Sequence, residues 1–538
     1  MGITRREWLK TAGAALAAGL LPNITACSDE SSGLPSYDYS GPPGPESMFD
    51  LGVASGDALA DAVVLWTHVS PGFASGSVDV WLDIALDPGF TRRVVARSFT
   101  VDEATDYALK VDVDGLQAGQ TYYYRFFALG IGSVTGRTRT LPLGSVEELR
   151  FAVASCANYG YGYFHAYRRI AERADLDGVI FLGDYIYEYA QGFYPFGDEI
   201  VRETAPGGKC VDLDGYRARY RKYRTDPDLQ EAHRQHPWFV VWDDHELVND
   251  ATSEGTDLLS HNPATDGDFD TRIAAAKQAY HEHMPIRGAA SDPIYRSVRF
   301  GDLAELRLLD TRAAGRSGGI SDPALDTPDR TMMGAEQEAW LDAELASGEA
   351  TWQVIGQQIA VAHFTYDEVD HRPVFFDQWD GYPAARQRLF DSLEQHGRGN
   401  VVVLTGDLHG ACVFDLPRDP WSGGYVAATG EGSLAVEFIC TSVTSPYLPF
   451  VPVTTEEAQL AAASPHLAWT NLVERGYSVV TVTPEYVQSD FYGVEDVRSP
   501  SGGAERHLAG YLVPIGSAHA LRAMAPAPRA SGPASLAP

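Results

Sequence analysis

Cysteine is scarce: five residues, Cys27, Cys156, Cys210, Cys412 and Cys440, in a chain of 538. They are too few and too scattered for a disulfide framework, and no two form a CxxC pair, which excludes a zinc ribbon. Positive charge is also in short supply. Lys and Arg total 41 against 73 Asp and Glu, a formal charge of -32. A chain so acidic offers no basic stripe, so no specific nucleic-acid binding is expected, whereas hard cations such as calcium are well tolerated. The apolar stretch at residues 12–21 is too short to span a bilayer, and no internal repeat is visible. Hydrophobic residues at 44% leave ample material for a large core and more than one domain.

The first 27 residues read as an address. Thr4-Arg5-Arg6-Glu7-Trp8-Leu9-Lys10 is a twin-arginine export signature followed by an alanine-rich apolar stretch. It ends in Ile24-Thr25-Ala26-Cys27, a lipobox pattern in which Cys27 becomes the lipidated first residue and the membrane anchor. Residues 28–46, rich in Ser, Gly, Pro and acid, read as a flexible linker. Residues 47–145 carry short period-two runs between turn signals, the pattern of an all-β immunoglobulin or fibronectin III-like sandwich. From 148 to 515, strands alternate with helical patterns, which argues for an α/β unit of layered sheets flanked by helices. Helices are expected over 163–173, 216–233, 273–283, 335–345 and 383–395, and the arginines of the second are expected on a solvated face. Later strands are expected over 352–358, 434–440 and 477–482. After residue 517 the chain turns to Ala, Pro, Ser and Gly and reads as a disordered tail.

Four apolar runs of the α/β unit end alike. Leu149-Arg150-Phe151-Ala152-Val153-Ala154 runs into Ser155-Cys156. Gly178-Val179-Ile180-Phe181-Leu182 runs into Gly183-Asp184-Tyr185-Ile186-Tyr187-Glu188. Trp238-Phe239-Val240-Val241-Trp242 runs into Asp243-Asp244-His245-Glu246, and Val401-Val402-Val403-Leu404-Thr405 into Gly406-Asp407-Leu408-His409. Such runs suit buried parallel strands, and in open α/β sheets chemistry collects at the strands' carboxyl ends. Four ends delivering Asp, His and Cys point to a metal site assembled from loops.

Each motif has a plainer alternative. A Gly-Asp pair occurs in any turn, Asp243 or Asp244 with Glu246 can cap a helix, and Asp407 with His409 can be a core histidine with its partner. Cys156 alone reads as an inert buried thiol, and Tyr187 as a packing ring. Together they gain force. Clustered acids around one histidine repel unless something positive sits among them. Asp407 and His409 share a face in an extended segment, a thiolate at Cys156 favours a softer ion than calcium, and a phenolate at Tyr187 suits ferric iron.

These residues, with Leu309-Asp310-Thr311-Arg312 and Trp379-Asp380-Gly381-Tyr382-Pro383, occur in an order that resembles the PhoD-like alkaline phosphatases, a branch of the calcineurin-like metallophosphoesterases. The resemblance runs from about Phe49 to Leu512. It implies a metallophosphoesterase-type layered β-sandwich flanked by helices. It also implies a centre of ferric iron and calcium acting on phosphate esters. Carried over, iron is held by Cys156, Asp184, Tyr187, Asp407 and His409. Calcium faces Asp184 with Asp244 and Asn249. His245 lies near the phosphate, and Arg312 and Arg386 are candidate phosphate clamps, since a guanidinium fork matches phosphate oxygens. Gln357 and Gln358 stand where relatives place a further histidine.

The expected reaction is hydrolysis of phosphate monoesters, with some diesters, by in-line attack of a hydroxide at neutral to alkaline pH outside the cytoplasm. Three alternatives remain at this level: a phosphodiesterase or phospholipase-type enzyme on the same metal core, a surface-tethered binding protein with structural metals only, and a periplasmic iron carrier that releases metal without turnover. The export reading makes its own prediction. Mass spectrometry of the exported protein finds a lipid-modified Cys27 as first residue; an unmodified first residue elsewhere removes the anchor.

Overall fold

Three consecutive apolar runs fix the centre of the molecule. Leu149–Ala154, Gly178–Leu182 and Pro237–Val241 are buried at every position. A strand with no exposed face has to lie between two covering layers. In the computed structural model they pair in parallel, Phe151 beside Gly178 and Val179 beside Trp238. The structure describes residues 33–538 apart from 73–74, 195–198, 257, 321, 323–324, 398, 450 and 530–533. The export motif and Cys27 lie outside the described residues.

These strands belong to a ten-stranded sheet. Its order is Leu521–Arg522, Glu505–Pro514, Tyr486–Val494, Gly476–Val482, Leu149–Ala154, Gly178–Leu182, Pro237–Val241, Val53–Gly56, Ala62–His68 and Ala108–Asp114. A seven-stranded sheet has its own parallel centre: Ala304–Leu308, Trp352–Gln357, Val401–Thr405 and Ser433–Ile439. The two sheets face each other. Ile180 and Leu182 of one meet a shared core with Leu306, Leu308, Val402 and Leu404 of the other. Phe300 stands edge-on to Phe151 at 4.9 Å and to Phe239 at 5.4 Å, a geometry aromatic quadrupoles favour. Val179 and Phe181 point the opposite way, under His165–Ala171, Leu213–Arg224, Pro227–Gln235 and Phe269–His283. Val401 and Val403 face Gly334–Ser347 and Pro383–His396. The layers are therefore helix, sheet, sheet, helix, as expected for this fold class.

The N-terminal β unit is present but shares its sheet with the rest. Val78–Ala85, Arg93–Val101, Thr121–Ala128, Ile131–Gly132 and Gly136–Arg139 form a five-stranded sheet of its own. The facing strands Val53–Gly56, Ala62–His68 and Ala108–Asp114 continue the ten-stranded sheet, since Val53–Gly56 pairs in parallel with Pro237–Val241.

Three expectations are corrected. The helix expected over 216–233 is two helices, because Pro227 cannot continue the first. Asp226 caps the second, accepting from the N–H groups of Asp228 and Leu229, both at 3.0 Å. The arginines of Leu213–Arg224 do not lie on a solvated face: Arg217, Arg219 and Arg224 are buried, and Arg219 donates to the carbonyls of Tyr187, Tyr189, Ala205, Pro206 and Gly208. It thereby ties down the loop that leaves Gly178–Leu182. The described parts of the linker and tail are docked. Arg93 holds the carbonyls of Leu34 and Pro35, and Tyr37 stacks on Phe127 at 5.1 Å. Leu521–Arg522 adds a strand to the large sheet, Ala527 donates to Asp490 at 2.9 Å, and Ala537 exchanges hydrogen bonds with Gln235. Small residues bury little themselves, but their backbones satisfy buried polar side chains of the body.

Removing the N-terminal unit would turn Pro237–Val241, fully buried, into an unpaired edge. A fragment beginning at residue 148 is therefore expected to be insoluble or to lose cooperative melting; a soluble fragment with a sharp thermal transition would contradict the shared sheet.

Candidate metal centre

The parallel strands of both sheets deliver their carboxyl ends to one edge. Four residues there adopt left-handed backbone: Cys156 at φ 61°, Asp184 at 59°, Asp407 at 58° and His409 at 59°. Each costs roughly 1 kcal/mol or more for a side chain other than glycine, so the surrounding structure must hold them. The holding is visible. Cys156 N donates to Gly183 O at 3.0 Å and Ala157 N to Asp184 O at 2.8 Å, while Cys156 O accepts from Ser445 Oγ at 2.9 Å. Gly183, at φ 102°, has no room for a side chain, since a Cβ there would fall 2.3 Å from Asp243 Cβ. This glycine lets two ligand-bearing loops touch.

One group forms around Asp184. A Cys156 sulfur, an Asp184 oxygen and a His409 nitrogen lie within 4.8 Å of one another, all three residues buried or nearly so. The Tyr187 hydroxyl donates to Asp184 Oδ2 at 2.8 Å, lies 3.1 Å from His409 Nε2 and accepts from Ser445 Oγ at 2.6 Å. Arg475 donates to the His409 carbonyl at 2.9 Å and fixes that loop.

A second group shares the same aspartate. Ligand atoms of Asp184, Asp244 and His245 lie within 4.8 Å, as do those of Asp243, Asp244 and Asp407. Glu246, fully buried, accepts from the N–H groups of Asp184 at 2.9 Å, Tyr185 at 2.6 Å and Asp243 at 2.9 Å. It pins both loops at once. His245 is held through Nδ1 by Glu188 at 2.8 Å and stacks on the Tyr187 ring at 4.1 Å. Arg312 reaches Asp243 at 2.5 Å, Asp377 at 2.7 Å and Asp407 at 3.5 Å.

The electrostatics fit a cation. Burial pushes the Cys156 thiol well above its usual range, and Asp184 and Asp407 push it further. Burial, then neighbouring carboxylates, holds Asp184 and Asp243 well above the carboxylate range despite His245 and Arg312, and Asp407 is raised to about 7. Burial followed by Asp184 and Cys156 raises the Tyr187 phenol well up. His409 is lowered to about 3, chiefly by burial and then by Arg475. Burial alone would lower His245, but Asp244, Asp184 and Glu188 raise it well above 6.5. Asp243 Oδ2 and Asp244 Oδ1 are buried without a hydrogen-bond partner. Orphaned oxygens beside acids that resist ionising are what a missing positive charge leaves behind. A neutral imidazole, a thiol and a phenol on one side, with carboxylates on the other, can hold two cations across Asp184.

Cys156, Asp184, Tyr187, Asp244, His245, Arg312, Asp407 and His409 thus come together. Asn249 lines the same cleft, but its amide is engaged by Tyr189 OH at 2.5 Å and by Ser260 Oγ at 3.2 Å. Arg312 is at the site, though its fork is spent on carboxylates. Arg386 is a correction: it binds Asp380 at 2.5 Å and lines a different cavity of about 280 Å³ with His363, Trp421 and His466. Its guanidinium fork made it a candidate clamp, but Pro383–His396 points it at Asp380. Gln358 spans Thr311, Trp242 O and Leu309 O, so it joins loops and takes no part in either cluster. Sequence reading did not assign Asp243, Glu188, Glu246, Asp377, Gln378 or Ser445. The first three lie inside motifs already noticed; Ser445 carries no local signal at all.

The two arginines should separate cleanly. Arg386→Gln is expected to keep kcat/KM within about twofold while costing about 3 kcal/mol, because Asp380 stays buried with one cation fewer. Arg312→Gln is expected to lose both stability and activity, since three acids share its charge. Equal loss of activity in both variants would overturn the placement.

Comparison with known proteins agrees with this geometry. The family model for PhoD-like phosphatase matches residues 151–491, and that for the PhoD-like phosphatase N-terminal domain matches 38–142. Alkaline phosphatase D of Bacillus subtilis (strain 168) is 36% identical over 472 residues, covering 84% of this chain and 78% of that protein. The solved structure titled "Structure of PhoD" superposes with a TM-score of 0.81 at 33% identity, covering 92% of this chain and 95% of that one. With two clusters of candidate ligands joined at one aspartate and these matches over most of its length, the chain belongs to the PhoD-like phosphatases, metal-dependent hydrolases of phosphate esters.

Proposed function

We propose that this phosphatase is an exported alkaline phosphatase acting mainly on phosphate monoesters, with ferric iron and calcium at the two halves of its centre. The observation that carries the division is the asymmetry about Asp184. Cys156, Tyr187 and His409 lie on one side, and Asp243 and Asp244 on the other, where Asp407, expected in the iron set, also has its oxygens. A thiolate and a phenolate match a trivalent transition ion, whereas an all-oxygen set matches calcium. Asn249 stands at the margin of the oxygen set. The twin-arginine motif and Cys27 support export and lipid anchoring.

When bound, the cations supply Lewis acidity toward a phosphoryl oxygen and lower the pKa of water. The chain's own groups do the rest. Glu188 takes His245 through Nδ1 and leaves Nε2 as the nitrogen free for substrate in the cleft. A protonated His245 there stabilises a phosphoryl oxygen or gives its proton to the departing alkoxide. Arg312 pairs with Asp243, Asp377 and Asp407, which aims the three carboxyl groups and offsets part of their mutual repulsion. Gln378 Nε2 holds Asp407 Oδ2 at 2.5 Å, orienting its other oxygen. Asp243, Asp244 and Asp407, whose ligand atoms lie within 4.8 Å of one another, would hold the second cation, which could supply the attacking hydroxide.

Visible spectroscopy with elemental analysis tests the metal assignment, and an aryl phosphate assay tests the reaction. Tyr187→Phe and Cys156→Ser are expected to lose charge-transfer absorption, and Asp184→Asn to lower kcat/KM about a thousandfold, the several kcal/mol a bound cation contributes. Colourless, iron-free protein with full turnover would remove the iron reading.

A further inference from the structure

The cleft above the centre holds about 400 Å³, and its floor and walls differ in chemistry. Its floor presents His245, Asp407 and His409. Its walls are Tyr189, Phe193, Tyr194, Phe375, Tyr447 and Leu448, and the two amides that also line it are engaged, Asn249 by Tyr189 and Ser260 and Gln378 by Ala360 and Asp407. The hydroxyls of the three tyrosines are already committed to the protein. Tyr189 donates to Asn249 at 2.5 Å, Tyr194 to Pro446 O at 2.9 Å and Tyr447 to buried Glu456 at 2.8 Å. What these residues offer a ligand is therefore their rings. Phe193 and Leu448 stand at the rim, 46% and 55% exposed, with apolar surface that a guest can cover.

Equally informative is the charge. Among the described residues that line the cleft there is no Lys or Arg. The nearby Arg312 is fully buried and engaged by Asp243 and Asp377, and Arg316 is engaged by Asp377. A second phosphate entering with the substrate would find no fork to receive it, and would meet Asp407 and a body of formal charge -32.

Building on the phosphoesterase reading, we infer that this cleft selects esters with a single phosphoryl group on an apolar alcohol, an alkyl chain or an aromatic ring, and turns away polyanionic and polyhydroxy alcohols. The metal floor takes the phosphoryl group. The ring walls take the alcohol, and burying it raises affinity in proportion to the area covered.

The test uses the metal-loaded full chain with n-alkyl phosphates from methyl to hexyl, glycerol phosphate and inorganic pyrophosphate. Rates as kcat/KM are expected to rise about two- to fourfold per methylene, the upper value being full burial, until the chain outgrows the walls. Glycerol phosphate is expected about tenfold below propyl phosphate, because its hydroxyls lose water without gaining partners. Pyrophosphate is expected to be the poorest substrate. Phe193→Ala and Leu448→Ser are expected to lower the hexyl-to-methyl ratio at least about threefold. Calorimetric binding of n-alkylphosphonates to the same protein gives a second readout that needs no turnover. A flat ester series, or pyrophosphate matching hexyl phosphate, would overturn the selectivity while leaving the phosphatase standing. Phosphonate affinities that climb with chain length in a protein that hydrolyses no ester would do the reverse.

Discussion

Buried carboxylates of like charge are the constraint around which this molecule is arranged. Asp184, Asp243, Asp244 and Asp407 meet in one space, with ligand atoms of neighbouring pairs inside 4.8 Å. At an effective dielectric constant near 20, each such pair repels by about 3–4 kcal/mol. A fold that brings them together must offset that cost several times over. Arg312 does so for Asp243, His245 for Asp184 and Asp244, and the N–H groups collected by Glu246 hold the loops regardless of charge. The remainder is left to bound cations, and that residual demand is the binding energy of the site.

Rigidity follows from the same constraint. Ligands at strand ends in left-handed backbone need a frame that does not yield. Two sheets closed face to face supply it, since side chains between them pack from both directions. The N-terminal unit contributes three strands to that frame, and the C-terminal tail closes its far edge. Arg219 links a helix to the Tyr187 loop, so the position of one phenol depends on residues thirty or more positions away.

The second cavity, around Arg386, shows how far chemistry alone can mislead. Half-buried Arg386 and His363 converge on buried Asp380, His363 Nδ1 lying 2.7 Å from its carboxylate. Guanidinium and imidazole are the groups phosphate chemistry uses, yet here both are turned onto Asp380. Asp380 accepts the Phe364 N–H at 2.8 Å, so the trio closes a loop. Residue type gives capability; partners decide role.

Much was legible before any coordinates. Runs buried on both faces announced parallel strands, and the residues after Leu182, Val241 and Thr405 announced the clusters that could hold a metal. Four long-range facts were not legible, the shared sheet, the docked tail, the burial of Arg219 and the burial of Arg312, whereas the break at Pro227 was written locally in the proline. The first two depend on backbone partners hundreds of residues away, and the last two on carbonyls and carboxylates that no local pattern encodes. What the sequence determined by itself was which residues could bear charge, thiolate or phenolate at a strand's end, because periodicity and termination are properties of neighbours. What only the tertiary structure decided was which of them come within reach of one another and which merely share a motif, because that depends on distances between loops that meet only when both sheets are closed.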